Sequence, residues 1–304
     1  MSGYPNRSGF VLKALQSALQ QNYKNFNILL RLGYQIPGIE KLISEKVTIS
    51  YFDHQMIGVG QKLGRNIAES LQFFNEYICL LDDDDTFHPD KLKRINDEFN
   101  HGVVYIHNGI VAVDESGEKL DYQNDRDDFN NSSISVDRRI LEYDFFNELD
   151  SSLDTGIYLS AIKFGRLKFI DDKLTYLTIH KSTTMGYTGD FNTWREKKLF
   201  SYKNIIQPTY SYMLEYFRGT RAEIYAQRMY DINSIFMDIY EDKGIENKIG
   251  FFKKLKLALV KPYLKSSDRF AKKVILGSIF SKKKVLIQLY ENDKELLQKL
   301  QNYD

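Results

Sequence analysis

Four consecutive aspartates, Asp82-Asp83-Asp84-Asp85, stand directly behind the apolar run Tyr77-Ile78-Cys79-Leu80-Leu81 and shortly ahead of Pro89. No other feature constrains the fold as much. A short apolar run bounded by polar residues reads as a buried strand, and a proline is well placed to open a helix. The acids therefore occupy a strand-to-helix connection, the edge of an open α/β sheet where ligands bind. Neighbouring carboxylates repel one another, so the cluster costs stability unless something offsets its charge. A divalent cation does so well, because Mg²⁺ and Mn²⁺ take oxygen ligands and complete their shells with phosphate oxygens. The plainer reading is a solvated acidic loop or a helix N-terminus, where Asp is favourable. The position between strand and helix favours a ligand site.

The surrounding pattern supplies the rest of a layered domain. Val11, Leu12, Leu15 and Leu19 recur at helical spacing over residues 10–20, with Ser8 as the expected N-cap. Ile28-Leu29-Leu30 and Val47–Phe52 read as strands, Leu63–Phe74 as a helix and Tyr77–Leu81 as a third strand. Beyond the acids, Leu92, Ile95 and Phe99 mark another helix. Strands are expected at Val103–Ile106 and Ile110–Val113, then a turn at Asp114-Glu115-Ser116-Gly117. Residues 121–133 read as a polar, mobile loop, Asp154–Phe164 as a helix and Leu174–Ile179 as a strand. Strands alternating with helices predict an α/β domain over residues 1–190, with a Rossmann-type mixed, mostly parallel sheet flanked by helices. Residues 191–304 read as a basic, amphipathic helical extension.

Composition narrows the function classes. The 304 residues carry a net charge of only +1, which selects no partner. Cys79 is the one cysteine, so an intrachain disulfide framework is excluded, a Cys-based zinc site is disfavoured, and its apolar surroundings place it in the core. No apolar stretch of membrane-spanning length appears and the first residues lack a signal-peptide core, so a cytoplasmic location is expected. Charge is concentrated between Lys248 and Lys284, where twelve Lys or Arg residues face the single acid Asp268. Phe251, Phe252, Val274, Ile275, Leu276 and Phe280 are interleaved with them. An apolar face beside a lysine-rich one is how interfacial helices hold anionic lipid. The expectation is peripheral binding to the cytoplasmic face of a membrane, with a solvated helical subdomain as the equal alternative. No nucleic-acid partner is expected, since nothing resembles a reading motif.

Gly64-Arg65-Asn66-Ile67-Ala68, followed by Asn75-Glu76-Tyr77 and the run into Asp82–Asp85, closely resembles the central segment of family 2 glycosyltransferases of the GT-A fold. Tyr4-Pro5-Asn6-Arg7 and Ala14–Tyr23 resemble their first loop and helix. Asp154 before an Ala161-containing helix, then Leu174-Thr175-Tyr176 and His180-Lys181-Ser182, resemble the segment with their base and a late histidine. The resemblance spans residues 4–185 and implies a metal-dependent, inverting hexosyl transfer. The donor would be a UDP- or GDP-linked sugar, and the acceptor a hydroxyl on a glycan, a lipid-linked species or a protein. By the same resemblance, Asp84 and Asp85 would hold Mn²⁺ or Mg²⁺. Asn6, Arg7, Arg65, Asp82, Asp83 and His180 would contact the donor, and Asp154 would be the general base. From the residues alone, Asp154 could equally cap its helix, Arg65 form a surface ion pair, His180 be structural, and Trp194 belong to the core or stack on an acceptor. Glu148 and Asp150 compete with Asp154 as base.

Two departures from the family pattern stand out. A first strand of the type Val-Ile-Ile-Pro-Thr-Tyr-Asn is expected to be mostly missing ahead of Tyr4. The strand at Ile28–Leu30 runs into Arg31-Leu32-Gly33-Tyr34, where the family carries an acidic pair. These departures support a second reading, a non-catalytic relative that binds or scaffolds. A nucleotidyltransferase would need a glycine-rich phosphate loop near the N-terminus, and none is present.

Overall fold

The structure, a computed structural model, describes residues 2–3, 7–51, 67–68, 76–99, 101–120, 130–149, 151–180, 190–241 and 267–301. Asn6 and Arg65, expected at the donor, lie outside the described residues, as do residues 248–266 of the basic stretch. The chain divides into two compact units, Met1–Asp121 with Phe129–Thr178 forming one and the remainder the other. The division after Thr178 falls ahead of the expected boundary at residue 190.

In the first unit, helix α1 (Ser8–Leu19) buries Val11, Ala14, Leu15 and Ala18, the stripe its spacing predicts. Ser8 lies inside the helix rather than capping it. Arg7 holds the cap position and makes no side-chain cap bond; its guanidinium is committed to the acidic segment. Strands β1 (Ser2–Gly3), β2 (Ile28–Leu32) and β3 (Val47–Tyr51) form a wholly parallel sheet in that order. Ser2 and Gly3 pair with Arg31 and Leu32, so a two-residue strand stands where the family's first strand is expected. Val11, Leu15, Leu30, Leu32, Ile36, Ile39 and Val47 close the core between α1 and this sheet.

The second sheet holds β4 (Tyr77–Cys79), β5 (Thr86–Phe87), β6 (Val103–Val113), β7 (Ile134–Asp137) and β8 (Arg166–Thr178), in the order β4-β7-β6-β8-β5. Only β6 and β8 pair in parallel here, so the sheet is mixed. The two strands expected at 103–106 and 110–113 are one strand, interrupted by a register shift at Asn108 and Gly109. A Cβ on Gly109 would lie 2.9 Å from the Asp171 carbonyl oxygen, so the approach of β8 at this irregularity requires glycine. Helix α2 (Lys91–Phe99) sets Ile95 and Phe99 against Val103, Ile106, Ile170 and Leu174. Tyr77 stacks on Phe99 with ring centroids 4.1 Å apart. Short helix α3 (Tyr143–Asn147) precedes α4 (Leu153–Phe164), which packs on β6 and β8.

The far end of α1 grips the chain that follows the acids. The Phe87 N–H donates to Ser17 Oγ at 3.0 Å. Gln21, fully buried, donates to the His88 carbonyl at 2.9 Å and accepts from the Leu92 N–H at 2.9 Å. One helix therefore fixes the segment between β5 and α2.

The second unit is helical where described, with α5 (Phe191–Ser201), α6 (Gln207–Tyr216), α7 (Glu223–Glu241), α8 (Ser267–Phe280) and α9 (Lys282–Gln301). Asp190 caps α5, accepting from the N–H groups of Asn192 and Thr193. Trp194 is 1% exposed, sits among Ile235, Ile239, Ile275 and Leu286, and donates Nε1–H to Asp293 at 3.0 Å. It is a core residue, and burial removes the acceptor-stacking alternative. Val274 and Ile275, expected on a lipid-facing stripe, belong to the same core, because the helix spends its apolar period on its own neighbours. Phe280 is 87% exposed, and Leu276 and Ile287 are also exposed.

Substituting Gln21→Leu leaves the His88 carbonyl and the Leu92 N–H without their buried partner. Urea denaturation should show a loss of about 1–3 kcal/mol. An unchanged midpoint would show that this clamp does not hold the segment.

Candidate active site

Leu80 N–H still pairs with the Ile134 carbonyl at 3.1 Å, so β4 carries the chain up to the acids before it turns at Asp83 and Asp84 and re-enters the sheet at Thr86. The four carboxylates have different fates. Asp85 is fully buried; Oδ1 accepts from the Thr178 N–H at 3.0 Å and Oδ2 from Asn130 Nδ2 at 2.9 Å. Asp82 is half-buried and accepts from Asn131 Nδ2 at 3.3 and 3.4 Å, while its N–H donates to Ser132 Oγ at 2.9 Å. Arg7 Nη1 lies between the other two, 3.2 Å from Asp83 Oδ1 and 3.0 Å from Asp84 Oδ2. Asp83 Oδ2 is buried without a hydrogen-bond partner.

Ionisation follows from this enclosure. Burial, reinforced by the charges of Asp85 and Asp84, pushes the Asp82 carboxyl up to about 8. Burial and Asp84 push Asp85 up to about 6. Asp83 is also raised, since burial and Asp84 outweigh the nearby Arg7 charge. Near neutrality the Asp82 carboxyl therefore keeps its proton in the free protein.

A second cation lies beneath the cluster. Lys91 is fully buried, donates Nζ to the Ser132 carbonyl and to Thr175 Oγ1 (3.0 Å), and stands 4.0 Å from the centroid of the Phe87 ring. Burial lowers its pKa to about 7. Thr175 Oγ1 also donates to the Ser132 carbonyl at 3.0 Å. Lysine and threonine together pin the turn Asn131–Ser133, whose neighbours Asn130 and Asn131 hold Asp85 and Asp82.

Asp154 sits in the first turn of α4, where Oδ1 accepts from the Thr155 N–H at 2.7 Å. Burial raises its carboxyl to about 6. It is half-buried, not sealed. Ser152, two residues ahead, is the one described non-glycine residue with positive φ, at 54°. That left-handed turn is an uncommon conformation for serine and sets the entry of α4. Gly156 allows the close packing beneath, as a Cβ there would lie 2.9 Å from Leu149 Cδ1. His180 is buried just past β8 and belongs to the second unit.

Arg7, Asp82, Asp83, Asp84 and Asp85 are thus brought together. Asp154 lies on a helix packed on the same sheet, with its hydrogen bond directed to its own helix. Asp85, expected with Asp84 to grip the metal, has both oxygens engaged by protein donors. Sequence reasoning passed over Lys91, although it shares the buried stripe of Ile95 and Phe99 at four-residue spacing. Asn130, Asn131 and Ser132 gave no signal inside a uniformly polar run that reads as a mobile loop.

The donor set suits a hard cation, being oxygen only and including the unpartnered Asp83 Oδ2. Among the described residues no group of three His, Cys, Asp or Glu side chains converges on one point. A Mg²⁺ or Mn²⁺ ion here would draw further ligands from phosphate and water.

Comparison with known proteins accords with this geometry. Residues 5–145 match the family described as Glycosyl transferase family 2. Its mixed sheet with helices packed on it fits the GT-A arrangement. A crystal structure of S. aureus TarS is similar at 14% identity with a TM-score of 0.46, over 80% of this chain and 48% of that one. This chain thus spans about half the length of that structure. No curated protein matches.

The raised Asp82 pKa has a consequence for stability. The native state binds this proton more tightly than the unfolded chain, so the contribution is complete below about pH 4 and lost as pH rises through about 8. Asp85 and Asp154 act in the same sense up to about 6. Lys91, lowered to about 7, acts oppositely only above that. The metal-free protein should therefore melt at a lower temperature near about pH 7 than near about pH 5. Asp82→Asn should raise the midpoint at about pH 7 and flatten the trend. Scanning calorimetry reads both, and a midpoint that rises from pH 5 to 7 in the native chain contradicts the assignment.

Proposed function

We propose that the chain transfers a hexose from a nucleotide-diphosphate donor to an acceptor hydroxyl, with inversion. The carrying observation is the enclosure of Asp82–Asp85 with less positive charge than it needs, in a segment of glycosyltransferase family 2. Such a site is completed by a dication and a diphosphate. Asp84 and Asp83 would hold the cation, because Asp85 is occupied as the anchor of the cluster. The bound ion supplies Lewis-acid neutralisation of charge on the departing diphosphate. Arg7 keeps Asp83 and Asp84 fixed, and Asp82 remains accessible to the donor's ribose. Arg65 and Asn6 keep their expected donor-contact roles, and UDP- and GDP-sugars are the candidate donors.

The chemistry then needs a base. The acceptor oxygen attacks the anomeric carbon from the face opposite the leaving group. As the new C–O bond forms, the bond to the diphosphate breaks and its electron pair leaves with the nucleoside diphosphate. The acceptor proton passes to Asp154. A carboxyl raised to about 6 by burial is ionised near neutrality, yet more basic than an exposed aspartate. The sugar passes through an oxocarbenium-like transition state.

A screen of UDP- and GDP-sugars with and without Mn²⁺ tests the proposal. Asp154→Asn should cut turnover by about 10²–10⁴-fold while donor binding is kept. Log kcat/KM should rise with unit slope below about pH 6 and level off above it, since the base must be ionised. Asp84→Ala should abolish metal-dependent turnover. If no nucleotide sugar binds under any condition, the non-catalytic binding or scaffold reading replaces this one.

The same proposal places the protein peripherally on an anionic membrane, at its cytoplasmic face, next to a lipid-linked or membrane-borne acceptor. Supporting it are Phe280, Leu276 and Ile287, exposed beside exposed Lys273, Lys283 and Lys284. No helix among the described residues is long and apolar enough to cross a membrane. Vesicles containing phosphatidylserine should co-sediment the protein and phosphatidylcholine vesicles should not. The double substitution Lys283→Glu and Lys284→Glu, or Phe280→Ser, should weaken this severalfold, and equal binding to both vesicle types defeats the membrane assignment.

A further inference from the structure

Among the described residues, three buried acceptor oxygens near the acidic segment have no hydrogen-bond partner: Asp83 Oδ2, Asn130 Oδ1 and Asn131 Oδ1. Asn130 Nδ2 faces Asp85 at 2.9 Å and Asn131 Nδ2 faces Asp82 at 3.3 Å, so each amide turns its donor end toward the acids. The carbonyl ends are thus the groups left over in each side chain.

The turn that carries them is otherwise well satisfied. The Ser133 N–H and Oγ both donate to the Asn130 carbonyl, at 3.0 and 2.6 Å. Ser133 Oγ also meets His107 Nε2 at 2.9 Å. The Ser132 carbonyl takes Lys91 and Thr175, and Ser132 Oγ takes the Asp82 N–H. A turn fixed from several sides, whose two side-chain amide oxygens are buried without a partner among the described residues, is preorganised to receive donors. Buried polar atoms without partners mark a place where a ligand supplies what the protein lacks.

We propose that Asn130 and Asn131 form a hydroxyl-binding subsite for the donor, their carbonyl oxygens accepting O–H groups of the bound nucleotide sugar. This rests on the glycosyl-transfer reading and extends it to residues that the acidic motif does not include. An acceptor-only pair selects ligands rich in hydroxyl donors and disfavours phosphate, which brings more acceptors. The hydroxyls belong to the transferred sugar or to the ribose, and the two sources separate by experiment.

Calorimetric titration with UDP, UDP-glucose, GDP and GDP-mannose, in the presence of Mn²⁺, is carried out on the full chain and on Asn131→Ala and Asn130→Ala. Asn131→Ala is the cleaner variant, because the bond it gives up to Asp82 is long. Melting curves confirm that each variant is folded, and Asn131→Ser replaces any that is not. A loss of about five- to tenfold for the nucleotide sugar, with the nucleoside diphosphate unchanged, assigns the subsite to the sugar. An equal loss for both assigns it to the ribose. Native-like binding of every ligand by folded variants overturns the subsite alone. If the unaltered chain binds none of the four, the glycosyltransferase reading falls and the subsite falls with it.

Discussion

The organisation of this site depends on a single ion-pair arrangement: one Arg7 nitrogen shared between the carboxylates of Asp83 and Asp84. Four acids in sequence cannot be enclosed without positive charge nearby. Arg7 reaches them from the N-cap position of α1, and α1 is fixed in turn by its apolar face on β2. The other end of the same helix holds Phe87, His88 and Leu92 through Ser17 and Gln21. Helix α1 therefore acts as a splint, with the acid segment clamped at both ends. The helix gives up a side-chain cap at its N-terminus to do this, and the charge pair is what it gains.

Much of this was legible in the sequence, and the reasons differ by element. The stripes of α1 and α2, the apolar runs of β2 and β4, and the turn at Asp114–Gly117 are local patterns that backbone geometry reads directly. The turn is held by Asp114 Oδ1 accepting the Ser116 and Glu118 N–H groups, with Gly117 at φ 91°. The acid cluster was legible because four adjacent carboxylates repel one another unless something offsets their charge. What escaped lies at long range. Nothing local joins Arg7 to residues more than seventy positions away, or Lys91 to Thr175. The turn at Asn130–Ser133 is polar because it hydrogen-bonds the acids, and a polar run read alone looks like a solvated loop. Strand β7 follows immediately and is missed for the same reason, its short Ile134-Ser135-Val136 alternation being hidden behind that run. The apolar residues of α8 were read as a surface for lipid. Helical period alone cannot say whether such a stripe meets a membrane or another helix, and the core around Trp194 settles it for Val274 and Ile275.

Lys91 shows how the second shell of charge is built. A fully enclosed ammonium is unfavourable unless its protons are taken, and here a main-chain carbonyl, a threonine hydroxyl and an aromatic face take them. The arrangement converts a costly burial into geometric control. Ser132 is held from below by the lysine, and from above it receives the Asp82 N–H. Movement of the lysine would be passed to Asp82 and, through Asn130, to Asp85. Lys91 thus acts on Asp82 and Asp85 through a turn, whereas Arg7 contacts Asp83 and Asp84 directly.

The raised carboxyls in this domain are raised for different reasons. Asp82 and Asp85 are raised by burial together with the charges of their acidic neighbours. Asp154 is raised by burial alone, and every hydrogen bond it accepts pulls the other way. A dication entering the cluster removes the mutual repulsion there and brings those acids to their ionised form. No comparable relief reaches a carboxyl whose only penalty is desolvation. On the proposed reading, a loaded site would hold two kinds of acid: a charged set that grips the cation, and Asp154, still basic enough to accept a proton near neutrality. Separation of titrating groups by environment is how one fold runs binding and proton transfer at the same pH, and here it follows from where Asp154 is buried and what is not beside it.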